Sequence, residues 1–177
     1  MNIINKLIGS TRIFKRLGAL LLWMGVFEAG LVGCQQVPQK IEPIPILMVC
    51  EHGSVKSLMA ASLFNKASAQ RGLPYHATAR GVSPDPSVPR AIATALADEG
   101  FDVWNFVPSK FSTTDLLSAE RVVLIGLDTK ALDGLASGPV ESWLDVPAAS
   151  VDYSAARASL VKHIDALLDK LESRGTR

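Results

Sequence analysis

Four short apolar runs, Ile46 to Cys50, Tyr75 to Arg80, Arg121 to Gly126 and Val140 to Leu144, recur through the chain, with helix-patterned segments between them. Runs of this length and composition read as strands. A strand that returns to its sheet through a helix lies parallel to the strand before it, which excludes a sheet built from hairpins. The connecting segments are Ser57 to Arg71, stopped by Gly72, and Pro89 to Glu99, opened by proline and stopped by Gly100. A short helix is expected over Thr129 to Leu135. A long one is expected over Ser154 to Ser173, with Leu160, Ile164, Leu167, Leu168 and Leu171 on one face. The expected fold is α/β: a three-layer sandwich with a central four-stranded parallel sheet and helices on both faces, occupying residues 46–177. Ligands of such sheets bind at the carboxyl ends of the strands, and Cys50 stands at one of those ends.

The residues before this domain have another character. The basic opening NKLIGSTRIFKR leads into the apolar run LGALLLWMGVFEAGLVG and then Cys34, so residues 1–33 read as an export signal. Leu31-Val32-Gly33-Cys34 resembles a bacterial lipobox, which implies a lipoprotein-type signal peptide and lipidation of Cys34. An uncleaved anchor is the alternative, since the 17 residues from Leu17 to Gly33 are at the lower limit for a membrane span. Glu28 is costly to either version. Residues 34–45, containing QQVPQKIEPIP, read as an extended tether. Gln35 is not the aspartate that retains lipoproteins at the inner membrane, so that resemblance favours the outer one. The expected location is the bacterial cell envelope, facing the periplasm and held to the bilayer through Cys34; a misassigned start codon would make the protein cytoplasmic.

Charge narrows the partners. Setting aside four basic residues and Glu28 in the first 33 positions leaves 14 basic and 16 acidic residues of the chain's 18 and 17, a net of −2. That balance supplies no electrostatic footprint for nucleic acid. No His/Cys/Asp spacing suggests a metal site, and no cofactor is called for. The chain has two cysteines, so with Cys34 lipidated Cys50 is the remaining thiol and no internal disulfide can form.

The loop after Cys50 is Glu51-His52-Gly53-Ser54-Val55, and Lys56 and Ser57 open the helix. A loop running from a strand into a helix amino terminus points several N–H groups into one small space, and the helix dipole favours an anion there. The same field favours thiolate over thiol and so makes a cysteine at the start of such a loop a better nucleophile. Gly53 adopts conformations closed to other residues, Lys56 adds positive charge, and the Ser57 hydroxyl is suited to bond a sulfur anion. These parts fit attack on a tetrahedral oxyanion such as a phosphate monoester.

Cys50, five intervening residues, a basic residue and Ser57, followed by Met59-Ala60, resembles the low-molecular-weight protein tyrosine phosphatase and arsenate reductase superfamily, whose loop is Cys-x5-Arg-Ser. His52 and Met59-Ala60-Ala61 look closer to the reductase branch. Two positions depart from the pattern: Lys56 stands for the family's arginine and Gly53 for its bracing asparagine. Lysine is a point charge without arginine's planar fork. The resemblance implies catalytic Cys50, Lys56, Ser57 and Asp145, the last as the proton donor of SWLDVPAAS with Val146 between it and Pro147. It also implies oxyanion binding by the 51–55 loop. For Asp145 a helix or turn cap is the competing role. Trp143 is expected to wall the pocket or pack in the core, and Trp104 and Phe106 in the core or at the pocket rim. His76 and His163 are read as surface or packing residues, and Asp128 as a cap before Thr129-Lys130. Three functions follow. One is hydrolysis of phosphomonoesters, phosphotyrosine among them, through a phosphocysteine. The second is a noncatalytic module binding phosphate or a phosphorylated protein. The third is arsenate reduction with an external thiol, disfavoured by an exported location without a ready reducing pool.

Overall fold

The protein's structure, a computed structural model, describes residues 42–132 and 134–175. Cys34, the expected signal peptide and most of the expected tether lie outside the described residues. Four strands, β1 (Ile44–Cys50), β2 (Tyr75–Gly81), β3 (Arg121–Ile125) and β4 (Val140–Trp143), form one sheet in the order β2-β1-β3-β4. All three pairings are parallel. The helices are α1 (Lys56–Gln70), α2 (Arg90–Asp98), α3 (Thr113–Ser118) and α4 (Tyr153–Gly175), with a 3₁₀ turn at Thr129–Leu132.

β1 is apolar at consecutive positions because both of its faces are covered. Ile46, Met48 and Cys50 belong to one core, with residues of α1, α2 and α4. Leu47 and Val49 belong to another, with Leu116 of α3 and Leu132 of the 3₁₀ turn. Period-2 alternation along one strand thus feeds two separate layers. The first layer is the thicker: α4 lays Leu160, Ile164, Leu167, Leu168 and Leu171 against it, each at most 1% exposed. Burying one such side chain contributes about 1.5–3 kcal/mol. Arg71 at the end of α1 bonds Asp165 and Asp169 of α4, fixing how the two helices sit side by side.

The boundaries differ from the sequence reading in physically informative ways. β1 begins at Ile44, since Ile44 N–H donates to Pro74 O at 2.7 Å and the register opens with Ile44 opposite Tyr75. β3 stops before Gly126, whose φ of 69° cannot continue a strand. The expected helix over Thr129 to Leu135 is only the 3₁₀ turn, and Asp128 does cap it, accepting from Lys130 N–H at 3.0 Å. α3 was not expected; its signal is the Ser112…Asp115 capping box, in which each side chain accepts the other residue's N–H. Among the described residues no helix is long and apolar enough to cross a membrane.

Candidate active site

The carboxyl end of β1 delivers Cys50, 3% exposed, to the foot of α1. Its Sγ accepts from Gly53 N–H at 3.3 Å and Ser57 N–H at 3.4 Å, and lies 3.1 Å from Ser57 Oγ. Val55 occupies the N-cap position but supplies no side-chain cap, and the first turn of α1 holds no acidic residue. The first N–H groups of a helix have no partners within it, so an uncapped start is available to an anion.

The loop is fixed from behind. Gly53 has φ of 67° and passes so close to Gly81 at the end of β2 that a Cβ on either would come within 2.9 Å of the other's backbone. Glycine is required at both positions for this approach, and at Gly53 for its left-handed backbone as well. Behind them, Val82 N–H and Ser83 N–H donate to Glu51 O at 3.0 and 2.8 Å. Asp85 completes the brace. Its Oδ2 accepts from the buried Ser54 hydroxyl at 2.5 Å, its N–H donates to His52 O at 3.0 Å, and its Oδ1 lies 3.5 Å from His52 Nδ1. Asp85 and Gly81 were not singled out in the sequence. Their only signal there is a turn-rich run, GVSPDPSVP, after a strand.

Lys56 is half-buried, and its Nζ occupies the space where a side chain at position 126 would stand. Gly126 therefore serves the site twice, by ending β3 with positive φ and by leaving room for the ammonium. Among the described residues no carboxylate pairs with Lys56.

Cys50, Glu51, His52, Val55 and Lys56 line one side of a cavity of about 170 Å³, and Ala148, Ala149 and Ser150 line the other. A larger cavity of about 220 Å³ between α1 and α4 has no thiol in its lining, so the cysteine selects the smaller one. Of the expected site residues, Cys50, Lys56 and the 51–55 loop are brought together around this cavity, with Ser57 on the sulfur and Gly53 and Ser54 packed beneath.

Asp145 lies apart from this group. It does not line the cavity: its Oδ1 bonds His163 Nε2 on α4 at 2.7 Å, and this hydrogen bond holds its carboxyl below the usual carboxylate range. Both facts run against a proton donor, which must reach the leaving group and carry a proton near neutral pH. His163, read as a surface or packing residue, also stacks on Trp143 with ring centroids 4.9 Å apart. Trp143 is 1% exposed and belongs to the core, while Trp104 is exposed and Phe106 packs against the core from its edge.

With this geometry in view, the comparisons with known proteins become specific. Residues 45–142, over half of the chain, match the model of the low molecular weight phosphotyrosine protein phosphatase family. The chain belongs to this family. Its structure is similar to that of YfkJ from Bacillus subtilis, with 18% identity and TM-score 0.64 over 75% of this chain and 96% of that one. It is similar to a low molecular weight phosphotyrosine phosphatase from Vibrio cholerae, at 14% identity and TM-score 0.65 over 75% and 99%. It also resembles an arsenate reductase from Archaeoglobus fulgidus, at 22% identity and TM-score 0.55 over 70% and 98%. A search of curated proteins found no match. The family match ends at residue 142, so it includes the Cys50 loop and not the segment that carries Asp145.

Proposed function

We propose that this phosphatase-like domain hydrolyses phosphomonoesters, phosphotyrosine among them, through a phosphocysteine at Cys50. One observation carries the reading: two backbone N–H groups donate to Cys50 Sγ at the foot of an uncapped helix, with Ser57 Oγ 3.1 Å from the sulfur. A sulfur anion is the form that such donors suit, and it attacks phosphorus in line with the departing oxygen. Charge on the phosphoryl oxygens is met by N–H groups of the loop and by the Lys56 ammonium. Lysine in place of an arginine fork makes the clamp weaker, and turnover slow.

A second reading is favoured by the wall opposite Cys50, which offers Ala148, Ala149 and Ser150 where a carboxylic acid was expected. In that reading the domain binds phosphate or a phosphorylated protein without turning it over. Hydrolysis of para-nitrophenyl phosphate by the chain from Gln35 onward separates the two. The phosphatase reading predicts turnover that Cys50→Ser abolishes and Lys56→Arg increases; phosphate binding without turnover favours the module. Arsenate, with the same shape and charge, should compete with phosphate for the site.

We also propose that Cys34 is lipidated and tethers the domain to an envelope membrane, on the strength of the residues around it. Cys34→Ser should move the protein from the membrane fraction to the soluble one, and unchanged fractionation would contradict the tether.

A further inference from the structure

Hydrolysis at Cys50 needs a proton for the departing oxygen, and Asp145 is committed to His163 on α4. The proton donor must therefore come from another part of the cavity. The β4–α4 side supplies Ala148, Ala149 and the Ser150 hydroxyl, none of which titrates in the useful range. The loop side supplies Glu51, His52 and Lys56. Lys56 is the cation that meets the phosphoryl oxygens. Glu51 is exposed, and nothing among the described residues holds its side chain. His52 is different: Asp85 Oδ1 faces its Nδ1 at 3.5 Å, and Asp85 is itself fixed by the Ser54 hydroxyl and by a backbone bond to His52 O. His52 lines the cavity, and with Nδ1 beside a carboxylate Nε2 is its other nitrogen. Imidazole beside a carboxylate is a well-suited carrier for a proton near neutral pH.

We propose that His52 is the proton donor to the leaving group, with Asp85 as the positioning residue that orients its ring. The inference rests on the phosphocysteine reading above and gives it its missing step. In the first half the Cys50 sulfur uses its electron pair to form the S–P bond. The P–O bond to the leaving group breaks, and the proton on His52 Nε2 passes to the departing oxygen. In the second half neutral His52 takes a proton from the attacking water as the new O–P bond forms. The S–P bond breaks, its electron pair returns to sulfur, and phosphate leaves. The titratable groups around His52 are Asp85 from the β2–α2 segment, 3.5 Å from its Nδ1, and Glu51, Lys56 and Cys50, which line the same cavity. The β4–α4 side of the cavity contributes no titratable group.

The test uses the full chain in detergent with two substrates: para-nitrophenyl phosphate, whose leaving group needs little protonation, and phenyl phosphate, whose leaving group needs it. His52→Gln should lower kcat/KM, which reports the first half alone, by about 10²–10⁴-fold on phenyl phosphate and by less than about tenfold on para-nitrophenyl phosphate. It should also flatten the pH dependence of kcat/KM on phenyl phosphate, while binding of inorganic phosphate persists as the check on folding. Asp85→Asn should show the same substrate dependence in weaker form. Equal losses of kcat/KM on both substrates would overturn the proposal, as would a leaving-group-dependent loss in Asp145→Asn or Glu51→Gln with His52→Gln unaffected. A wild type that turns over neither substrate removes the phosphatase reading itself, and this inference with it, whereas turnover indifferent to His52 removes this inference alone.

Discussion

The two sides of the cavity are built by different means. The β1–α1 loop is held largely by backbone: Gly53 against Gly81, Glu51 O under two N–H donors, and His52 O under Asp85 N–H. The segment from Leu144 to Asp152 between β4 and α4 is held by side chains, with Val146 and Ala149 in the core and Asp145 drawn to His163. Backbone contacts fix where N–H groups point almost regardless of side-chain identity, so a loop of this kind keeps an oxyanion site while its residues diverge. A wall held by side chains can turn a carboxylate away without disturbing the fold. The family match divides the molecule at the same place, ending at residue 142.

That contrast orders the expected effects of substitution. Cys50→Ser should eliminate phosphate-ester turnover, a loss on the scale of the roughly millionfold seen when a nucleophile is removed from a catalytic unit; stopped or continuous assay of para-nitrophenol release measures it. Lys56→Ala should cost about 10²–10³-fold in kcat, as loss of one transition-state donor does, and Lys56→Arg should raise kcat in the same assay. Gly81→Ala sharpens the comparison by attacking the backbone brace. A Cβ there meets Gly53 N at 2.8 Å and His52 C at 2.9 Å, neither of which can yield independently. Denaturant titration should show a loss of about 1–3 kcal/mol, and phosphate affinity should fall with it. Asp145→Asn should have the smallest effect, leaving turnover nearly unchanged.

The Asp145 variant also carries a pH signature. The His163 hydrogen bond lowers the Asp145 pKa from its ordinary value of 3.8. A depressed carboxylate contributes stability that is present above the ordinary value and is lost as pH falls through the folded one. Wild type and Asp145→Asn should therefore differ in stability at neutral pH and converge below about pH 4. Because the carboxylate is exposed, the difference should be small and should shrink further in salt. Thermal unfolding across pH measures it.

Much of this was legible in the residues. The four strands were legible to within two residues: β1 and β3 because a parallel strand covered on both faces leaves an unbroken apolar signature, and β2 through alternation, with Ala77, Ala79 and Gly81 buried between less buried neighbours. Cys50 followed by a short loop, Lys56 and Ser57 marked the loop that lines the cavity, because both halves of that signal lie close together in the chain. The less legible features are those fixed by distant contacts. Asp145 has its direction set by His163, 18 residues later on another element. Asp85 reaches Ser54 across 31 positions. Gly81 reads as the end of a strand until Gly53 is seen against it. α3 escaped for a different reason: it is six residues long and buries only Leu116, too little for helical periodicity to register.

The most direct test of the central claim is to quench the full chain in acid during turnover of para-nitrophenyl phosphate and to map the phosphoryl group by mass spectrometry. A phosphoryl group on Cys50, absent in Cys50→Ser and accumulating in the steady state if hydrolysis of the intermediate is the slow step, is the predicted result. Release of para-nitrophenol with no phosphorylated cysteine, and with undiminished rate in Cys50→Ser, would contradict it.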